Sequence, residues 1–465
     1  MLRSRLIELL IIYSLTTVCV QAASLTQTLD DLIAAHPKVV FGVEIVHVDS
    51  GRCLYQHQKS KPLMPASNMK IVTTASALKT LGPDYEFETQ VGLEGQRLVF
   101  VGSGDPLLGQ DERKDQDWNW LLLDVTRLLQ ERGIEHLSDI VVDSTCFDDQ
   151  RIHPHWPKED LNKGYSSEVC GFNYHGNCID VTVKNRAGKA VVLLDPPTGY
   201  VEIQNRVKVV SGGTLGVGAY RITGQPNVWQ VRGRVKREQG PCATPVERPA
   251  AFIGFVCAET LAQQGIRVTG QLREQAFVPG PDYTSLATYR NPLEAVLVRC
   301  NRDSFNLAAE CLVKTLGRHA VRSGQGGSWA LGTTVMEQYL EDLGLSKEEY
   351  HIDDGSGLSL ENRLSAHALV QVLLDMYRRD TWSMFEHSLA IGGVNGTLDS
   401  RFLETAYRGK IRAKSGYLGD ADVRTLSGVC ETKDGLVFFS ILANGGNVMV
   451  RHTITKVAKA IIDCS

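Results

Sequence analysis

The chain has 465 residues, of which 43% are hydrophobic and 22% charged, and its formal net charge is -4. That mixture is globular rather than disordered, and the length accommodates about two to four domains. A mildly acidic chain without a basic stripe of interleaved aromatics excludes a primary nucleic-acid role and a polybasic membrane patch.

In chain order, Arg3 and Arg5 precede an apolar run over residues 9–20, and the small residues Ala22, Ala23 and Ser24 follow. This pattern predicts a secretory signal peptide over residues 1–22, cleaved after Ala22 or Ala23. Val18 stands before Cys19 where a lipid-attachment motif has a small residue, so ordinary cleavage is expected. The run is short for a bilayer span and no other stretch approaches the required length, so no stable membrane span is predicted. The mature protein is expected outside the cytoplasm. Ten cysteines would remain there, an even number that permits disulfides, and Cys170 and Cys178 are spaced to close a small loop. No paired C-x-x-C and no H-E-x-x-H occurs, so no metal site is predicted.

Residues 25–35 read as a helix, and 39–48 and 53–57 as a hairpin across D-S-G. Then comes P-A-S-N-M-K-I-V-T-T-A-S-A-L-K-T-L, whose apolar residues Ile71, Val72, Ala75, Leu78 and Leu81 recur at helical spacing before Gly82-Pro83. Ser67 and Lys70, three apart, become neighbours in its first turn, which suits a hydroxyl nucleophile beside an amine base. Alone, the tetrapeptide is equally what an N-cap serine and a solvated lysine produce. From residue 86 to 282, short strand-like runs dominate and helices look sparse except around 251–264, predicting a β-rich insertion of one or two nested domains. Helical patterning resumes over 291–316, 328–343 and 365–378. Three strands follow near 409–418, 424–431 and 436–444, then a helix over 448–462.

Two later segments could complete the chemistry of an acyl-transfer site: N-R-D-S-F-N, with Ser304 and Asn306 opening a helix, and A-K-S-G-Y, with Lys414, Ser415 and Gly416 on an edge strand. Each alone is a common helix start or turn. Together, in this order and placement, they match the S-x-x-K, S-x-N and K-[T/S]-G set of penicillin-recognising serine enzymes.

Along nearly its whole mature length the sequence resembles the low-molecular-mass penicillin-binding proteins of the D-alanyl-D-alanine carboxypeptidase/endopeptidase type, the penicillin-binding protein 4 relatives. The resemblance rests also on V-G-S-G-D-P-L-L, V-V-D-S-T-C-F-D, D-D-G-S-G-L-S, G-V-N-G-T-L-D-S-R-F and F-F-S-I-L-A-N. It implies an α+β fold: a transpeptidase/β-lactamase-like domain, an antiparallel sheet flanked by helices, built from residues 23–85 and 283–465 and interrupted by the 86–282 insertion. It implies that Ser67 is acylated, Lys70 takes its proton, Lys414 supplies a nearby positive charge, Ser304 relays the proton and Asn306 holds the peptide amide. Ser415 would bind the substrate carboxylate, and the backbone N–H groups of Ser67 and Tyr417, flanking Gly416, would form the oxyanion hole. The implied partners are peptidoglycan stem peptides, with β-lactams as covalent inhibitors and no cofactor.

Some positions depart from the family pattern. Tyr417 replaces the usual Thr or Ser, Gly419 to Asp422 lengthen the following turn, and Leu360 stands where Arg is frequent. Asp160 matches an acidic position that would meet the stem's amino group. The glycines of D-D-G-S-G-L-S and G-T-L-D-S-R are read as turn formers and Arg401 as a structural bridge between carboxylates. A β-lactamase is disfavoured by the long insertion, and a non-catalytic wall-binding scaffold by the intact motifs.

Overall fold

A computed structural model describes residues 24–110, 119–321, 325–446 and 448–464. The expected signal peptide lies outside the described residues. None of the described helices is long and apolar enough to cross a membrane.

The strand Gly435–Asn444 organises the catalytic half. Its sequence, G-L-V-F-F-S-I-L-A-N, is apolar almost without alternation, the signature of a strand covered on both faces. Val437, Phe439 and Ile441 point to a core shared with the N-terminal helix Leu25–Ala34, through Leu29, and with the C-terminal helix Val448–Cys464, through Val450, Ile454, Val457 and Ile461. Phe438 and Leu442 point the other way, into a core with the helices Met69–Leu81, Asn306–Ala320, Trp329–Asp342 and Ala366–Tyr377. Each such large side chain taken from water contributes about 1.5–3 kcal/mol. The strand sits inside an antiparallel six-stranded sheet, ordered Ala390–Ile391, Ile411–Leu418, Val423–Thr432, Gly435–Asn444, Val40–His47, Cys53–His57.

The helix Met69–Leu81 is buried on every side from Met69 to Leu78, so it runs through the interior rather than along a surface. The predicted start at Ser67 is adjusted by one turn: Ala66–Asn68 forms a 3-10 turn that leads into the helix. Patterning over 291–316 suggests continuous helix, but the structure has two, Leu293–Asn301 and Asn306–Ala320. The break holds Ser304 at φ +62°, a left-handed conformation unusual for a non-glycine residue, and turns its side chain toward the sheet.

Between these halves lies a second hydrophobic core. A five-stranded mixed sheet, ordered Leu272–Glu274, Ile140–Asp143, Arg97–Val101, Glu86–Glu94, Tyr283–Pro292, packs with the helices Trp120–Glu131 and Pro249–Gln263. Two three-stranded sheets, one holding Val181 and Val183 and the other Trp229 and Val231, share the same cluster. The helix Trp120–Glu131 corrects the expectation that 251–264 is the main helical stretch here. Leu121, Leu122, Val125 and Leu129 recur at helical spacing and are buried, a signal overshadowed by the surrounding strand-like runs. The strand Tyr283–Pro292, grouped by the sequence reading with the catalytic half, pairs along Glu86–Glu94 instead.

Cys170 and Cys178 are both buried free thiols, so the loop that their spacing suggested is not closed by a disulfide. Asparagines hold it: Asn173 Oδ1 accepts from the Cys170 N–H (3.1 Å) and from Asn177 Nδ2 (2.7 Å), while Asn177 Oδ1 accepts from the Tyr174 N–H (3.0 Å). Side-chain amides that satisfy backbone groups fix such a loop without a covalent link.

Candidate active site

The sheet and the buried helix meet at Ser67 and Lys70. Lys70 is wholly buried, and its Nζ lies 3.1 Å from Ser67 Oγ, 2.7 Å from Asn306 Oδ1 and 2.8 Å from the Ser356 carbonyl oxygen. Two of these partners only accept; the third, a hydroxyl, can also donate. A neutral amine fits this set: two N–H groups go to the two carbonyl oxygens and the lone pair receives the Ser67 proton. Burial favours that form, pushing the Lys70 pKa down to about 8 against the pull of nearby acidic groups.

Asn306, first residue of its helix, turns its Nδ2 to the Tyr165 carbonyl oxygen (2.9 Å), so the insertion touches the site directly. The Ser356 carbonyl is fixed from behind by buried Glu310, whose carboxylate accepts from the N–H groups of Gly355 (3.0 Å) and Ser356 (2.8 Å) and from Trp329 Nε1 (2.7 Å). Burial raises the Glu310 pKa to about 7. Asp354 holds the same D-D-G-S-G-L-S loop through the N–H groups of Gly357 and Ser359.

On the other side of Ser67, the strand Ile411–Leu418 supplies Lys414, Ser415 and Gly416. Its outer edge pairs with Ala390–Ile391 only at Ala413 and Arg412, so the strand beyond faces a cleft. Buried Lys414 donates to Ser304 Oγ (2.9 Å) and to the Ser415 carbonyl (2.7 Å); burial, then the nearby Lys70, hold its pKa well below the ordinary lysine value. Ser415 Oγ donates to Thr397 Oγ1 (2.9 Å).

Gly416 has a steric reason. A Cβ there would lie 2.1 Å from Thr425 Oγ1 and 3.0 Å from both the Pro65 oxygen and the Ser67 nitrogen. Gly416→Ala is therefore expected to push the Pro65–Ser67 segment away and slow acylation about 100-fold, the scale of a 1 Å misplacement of a reacting group. The rate of covalent labelling by benzylpenicillin measures it; an unchanged rate would show that the segment yields without cost.

These groups line a cleft of about 720 Å³ that Ser67, Ser304, Asn306, Ser415 and Gly416 share with Asp160, Leu360 and Tyr417. Asp160 accepts from the Tyr165 hydroxyl (2.7 Å) at its rim, and Leu360 is 38% exposed. Tyr417, 62% exposed, lays its ring against the Arg424 guanidinium at 3.9 Å. Gly419 and Asp420 of the lengthened turn line the same rim. Of the sequence-predicted set, Ser67, Lys70, Ser304, Asn306, Lys414, Ser415 and Gly416 thus converge, with Asp160 and Tyr417 at the edge. Arg401 is not a bridge between carboxylates: it meets none among the described residues and donates instead to Thr455 Oγ1 (2.8 Å). Sequence reasoning missed Thr397, Tyr165, Glu310 and the Ser356 carbonyl. Thr397 and Ser356 lie within quoted motifs, whereas Tyr165 acts through its backbone and Glu310 from within a helix, where neither leaves a signal.

Comparison with known proteins decides the family. The D-Ala-D-Ala carboxypeptidase 3 (S13) family model matches residues 25–463. The chain belongs to the S13 family. A D-alanyl-D-alanine carboxypeptidase of Actinomadura sp. (strain R39) is 31% identical over 454 residues, covering 91% of this chain and 82% of that protein. The penicillin-binding protein 4 of Haemophilus influenzae has a similar structure, with a TM-score of 0.77, 21% identity and coverage of 94% of this chain and 98% of that one. A second structure of that protein, bound to a β-lactam, has a TM-score of 0.72 at 20% identity, covering the same shares. The S13 chain therefore has the transpeptidase-like fold expected of it, and its three motifs sit at one cleft.

Proposed function

We propose that this protein is a serine D,D-peptidase that cleaves D-alanyl-D-alanine bonds in peptidoglycan stem peptides and is acylated by β-lactams at Ser67. The observation that carries this reading is the placement of Ser67 Oγ within reach of a buried, depressed-pKa lysine whose other contacts are all acceptors. Membership of the S13 family supports the substrate class.

In the acylation step the Ser67 Oγ–carbonyl bond forms and the peptide C–N bond breaks. Lys70 accepts the hydroxyl proton; Ser304, held by Lys414, passes a proton to the departing amine. The second N–H of the Asn306 amide meets the substrate's acyl-side carbonyl, and Ser415 meets its terminal carboxylate. The N–H groups of Ser67 and Tyr417, on either side of the space Gly416 leaves open, stabilise the oxyanion. Water then attacks the ester and Ser67 recovers its proton. Asp160 at the rim is placed for the stem's amino group, while Leu360 offers no charge there. In this reading residues 23–85 and 293–465 form the catalytic unit and 86–292, with the strand Tyr283–Pro292, the insertion, and the protein works outside the cytoplasm, where peptidoglycan lies.

Intact-mass spectrometry with benzylpenicillin tests the function. A lasting adduct mapped to Ser67 is expected; rapid release of hydrolysed drug would make the protein a β-lactamase instead, and no adduct would leave it a scaffold.

The acylation rate also carries a pH signature. Lys70 must be unprotonated to act, so the rate rises with pH through about 8 and is nearly level above it. At pH 6 only about 1% of the lysine is free base, and the rate constant falls about 100-fold below the plateau. Benzylpenicillin acylation followed from pH 5.5 to 9.5 gives the profile; an inflection near 10 would mean that the pocket does not depress the lysine.

A further inference from the structure

A second cavity, of about 430 Å³, opens beside the catalytic cleft and shares Thr397, Ser415, Gly416 and Tyr417 with it. Among the described residues, three guanidinium groups line it, those of Arg401, Arg424 and Arg451, and no aspartate or glutamate does. Arginines elsewhere are met in two ways: Arg127, Arg290, Arg379 and Arg412 each meet a carboxylate, whereas Arg302 and Arg363 donate to backbone carbonyls. What sets this cavity apart is three guanidinium groups around one space. Here Arg401 donates to Thr455 Oγ1, while its Nε is buried without a partner. Arg424 donates to the Val423 carbonyl (2.9 Å) and lies against the Tyr417 ring. Among the described residues Arg451 meets no carboxylate, and it stands in the first turn of the helix Val448–Cys464, whose positive end adds to the field. Burial, and then the charge of Arg451, depress the Arg401 pKa to about 10. Like charges gathered around a cavity without a counter-ion are stabilised when an anion enters.

The position of the cavity says which anion. Ser415 lines both the cleft of the nucleophile and the arginine cavity, and in the D,D-peptidase reading it meets the carboxylate of the leaving residue. Anything the leaving group carries beyond that carboxylate continues past Ser415 and Tyr417, into the arginine cavity. The volume exceeds what one carboxylate fills, and Val448 and Ile454 give the cavity apolar wall for a short aliphatic stem. We propose that this cavity is a leaving-group subsite for a second carboxylate, held by Arg401, Arg424 and Arg451. The inference rests on the D,D-peptidase reading and sharpens it: the enzyme favours bonds whose leaving side bears an additional acidic group, a cross-linked peptide or an acidic D-amino acid, over a bare terminal D-alanine. Guanidinium forks bind carboxylates in a directed, bidentate way, so the preference is for charge in a fixed place and not for acidity in general.

The test compares diacetyl-L-Lys-D-Ala-D-Glu with its neutral isostere diacetyl-L-Lys-D-Ala-D-Gln. For the unaltered enzyme kcat/KM is expected to be about tenfold higher for the D-Glu peptide, a difference of one charge-assisted contact. Arg401→Gln and Arg451→Gln should each bring the ratio close to one. Lys456→Gln, which removes a charge from the same helix outside the cavity, should leave the ratio as it was. Calorimetric binding of both peptides to the Ser67→Ala protein should show the same ranking without turnover. A ratio near one in the unaltered enzyme, a ratio that survives both arginine substitutions, or an equal fall in Lys456→Gln would each overturn the subsite. Absence of a benzylpenicillin adduct at Ser67 would instead overturn the peptidase reading, and the calorimetric comparison would still decide whether the cavity binds the added carboxylate.

Discussion

Replacing Ser67 with alanine is expected to abolish covalent labelling by benzylpenicillin and to lower peptide turnover by roughly 10⁴-fold or more. Whatever remains would come from substrate binding and the oxyanion hole, which outlast the loss of a nucleophile. The fold should be unaffected. Ser67 is only half-buried, its hydroxyl contributes one contact, to Lys70, and an alanine leaves no large void in the 3-10 turn. Intact-mass spectrometry after prolonged exposure to the drug, beside a thermal melt, separates the two effects. An adduct that persists in the variant would place the nucleophile elsewhere and remove the basis for every role assigned around it.

Lys70→Met is expected to slow acylation by about 10³- to 10⁴-fold, at the upper end of what a positioned general base contributes. Its effect on stability is a separate matter, because two opposed changes meet at one buried point. The substitution strands the Asn306 amide oxygen and the Ser356 carbonyl, each costing about 1–3 kcal/mol if left without a donor. It also relieves the chain of burying an ionisable amine, while the methionine occupies much of the same volume. The expected result is therefore a melting temperature changed far less than the rate. Acylation at the native rate in Lys70→Met would sink the proposed base, and a collapsed melting temperature would show that the lysine's main work is structural.

The catalytic half was the more legible part of the sequence, and the reason is physical. Strands such as Gly435–Asn444 and helices such as Ala366–Tyr377 are long, apolar and bounded by turn signals, so periodicity and punctuation agree. The three motifs could be placed because each lies on or beside an element with a clear signal: Ser67 before a helix, Ser304 before the helix that Asn306 opens, Lys414 within a strand. The insertion was read as β-rich but without its helix Trp120–Glu131, since short strands on either side carry the same apolar residues with less periodic clarity. What could not be read at all were contacts made by backbone atoms or by groups brought from far away. The Tyr165 carbonyl on Asn306 and Glu310 behind Ser356 belong to this class. So does the arginine cavity, because Arg401, Arg424 and Arg451 become neighbours only when the sheet and the last helix have packed.

The central sheet has a consequence for how the molecule comes into being. Its strand Val40–His47, near the start of the chain, pairs with Gly435–Asn444, near the end, and the groups that surround Lys70 lie 236 and 286 residues further along. Joining such distant segments is thermodynamically cheap, since the entropy of closing a loop grows only logarithmically and each doubling of length adds about 0.6 kcal/mol. In time it is expensive, because chains dominated by remote pairings fold slowly. The serine and its lysine are neighbours as soon as their own helix forms, yet they lack the acceptors that hold the amine until the Asn306 helix and the Ser356 loop arrive, and the oxyanion pocket until the final strands do. Latency is thus written into the topology: a nascent or partly unravelled chain carries the reactive pair without the means to use it.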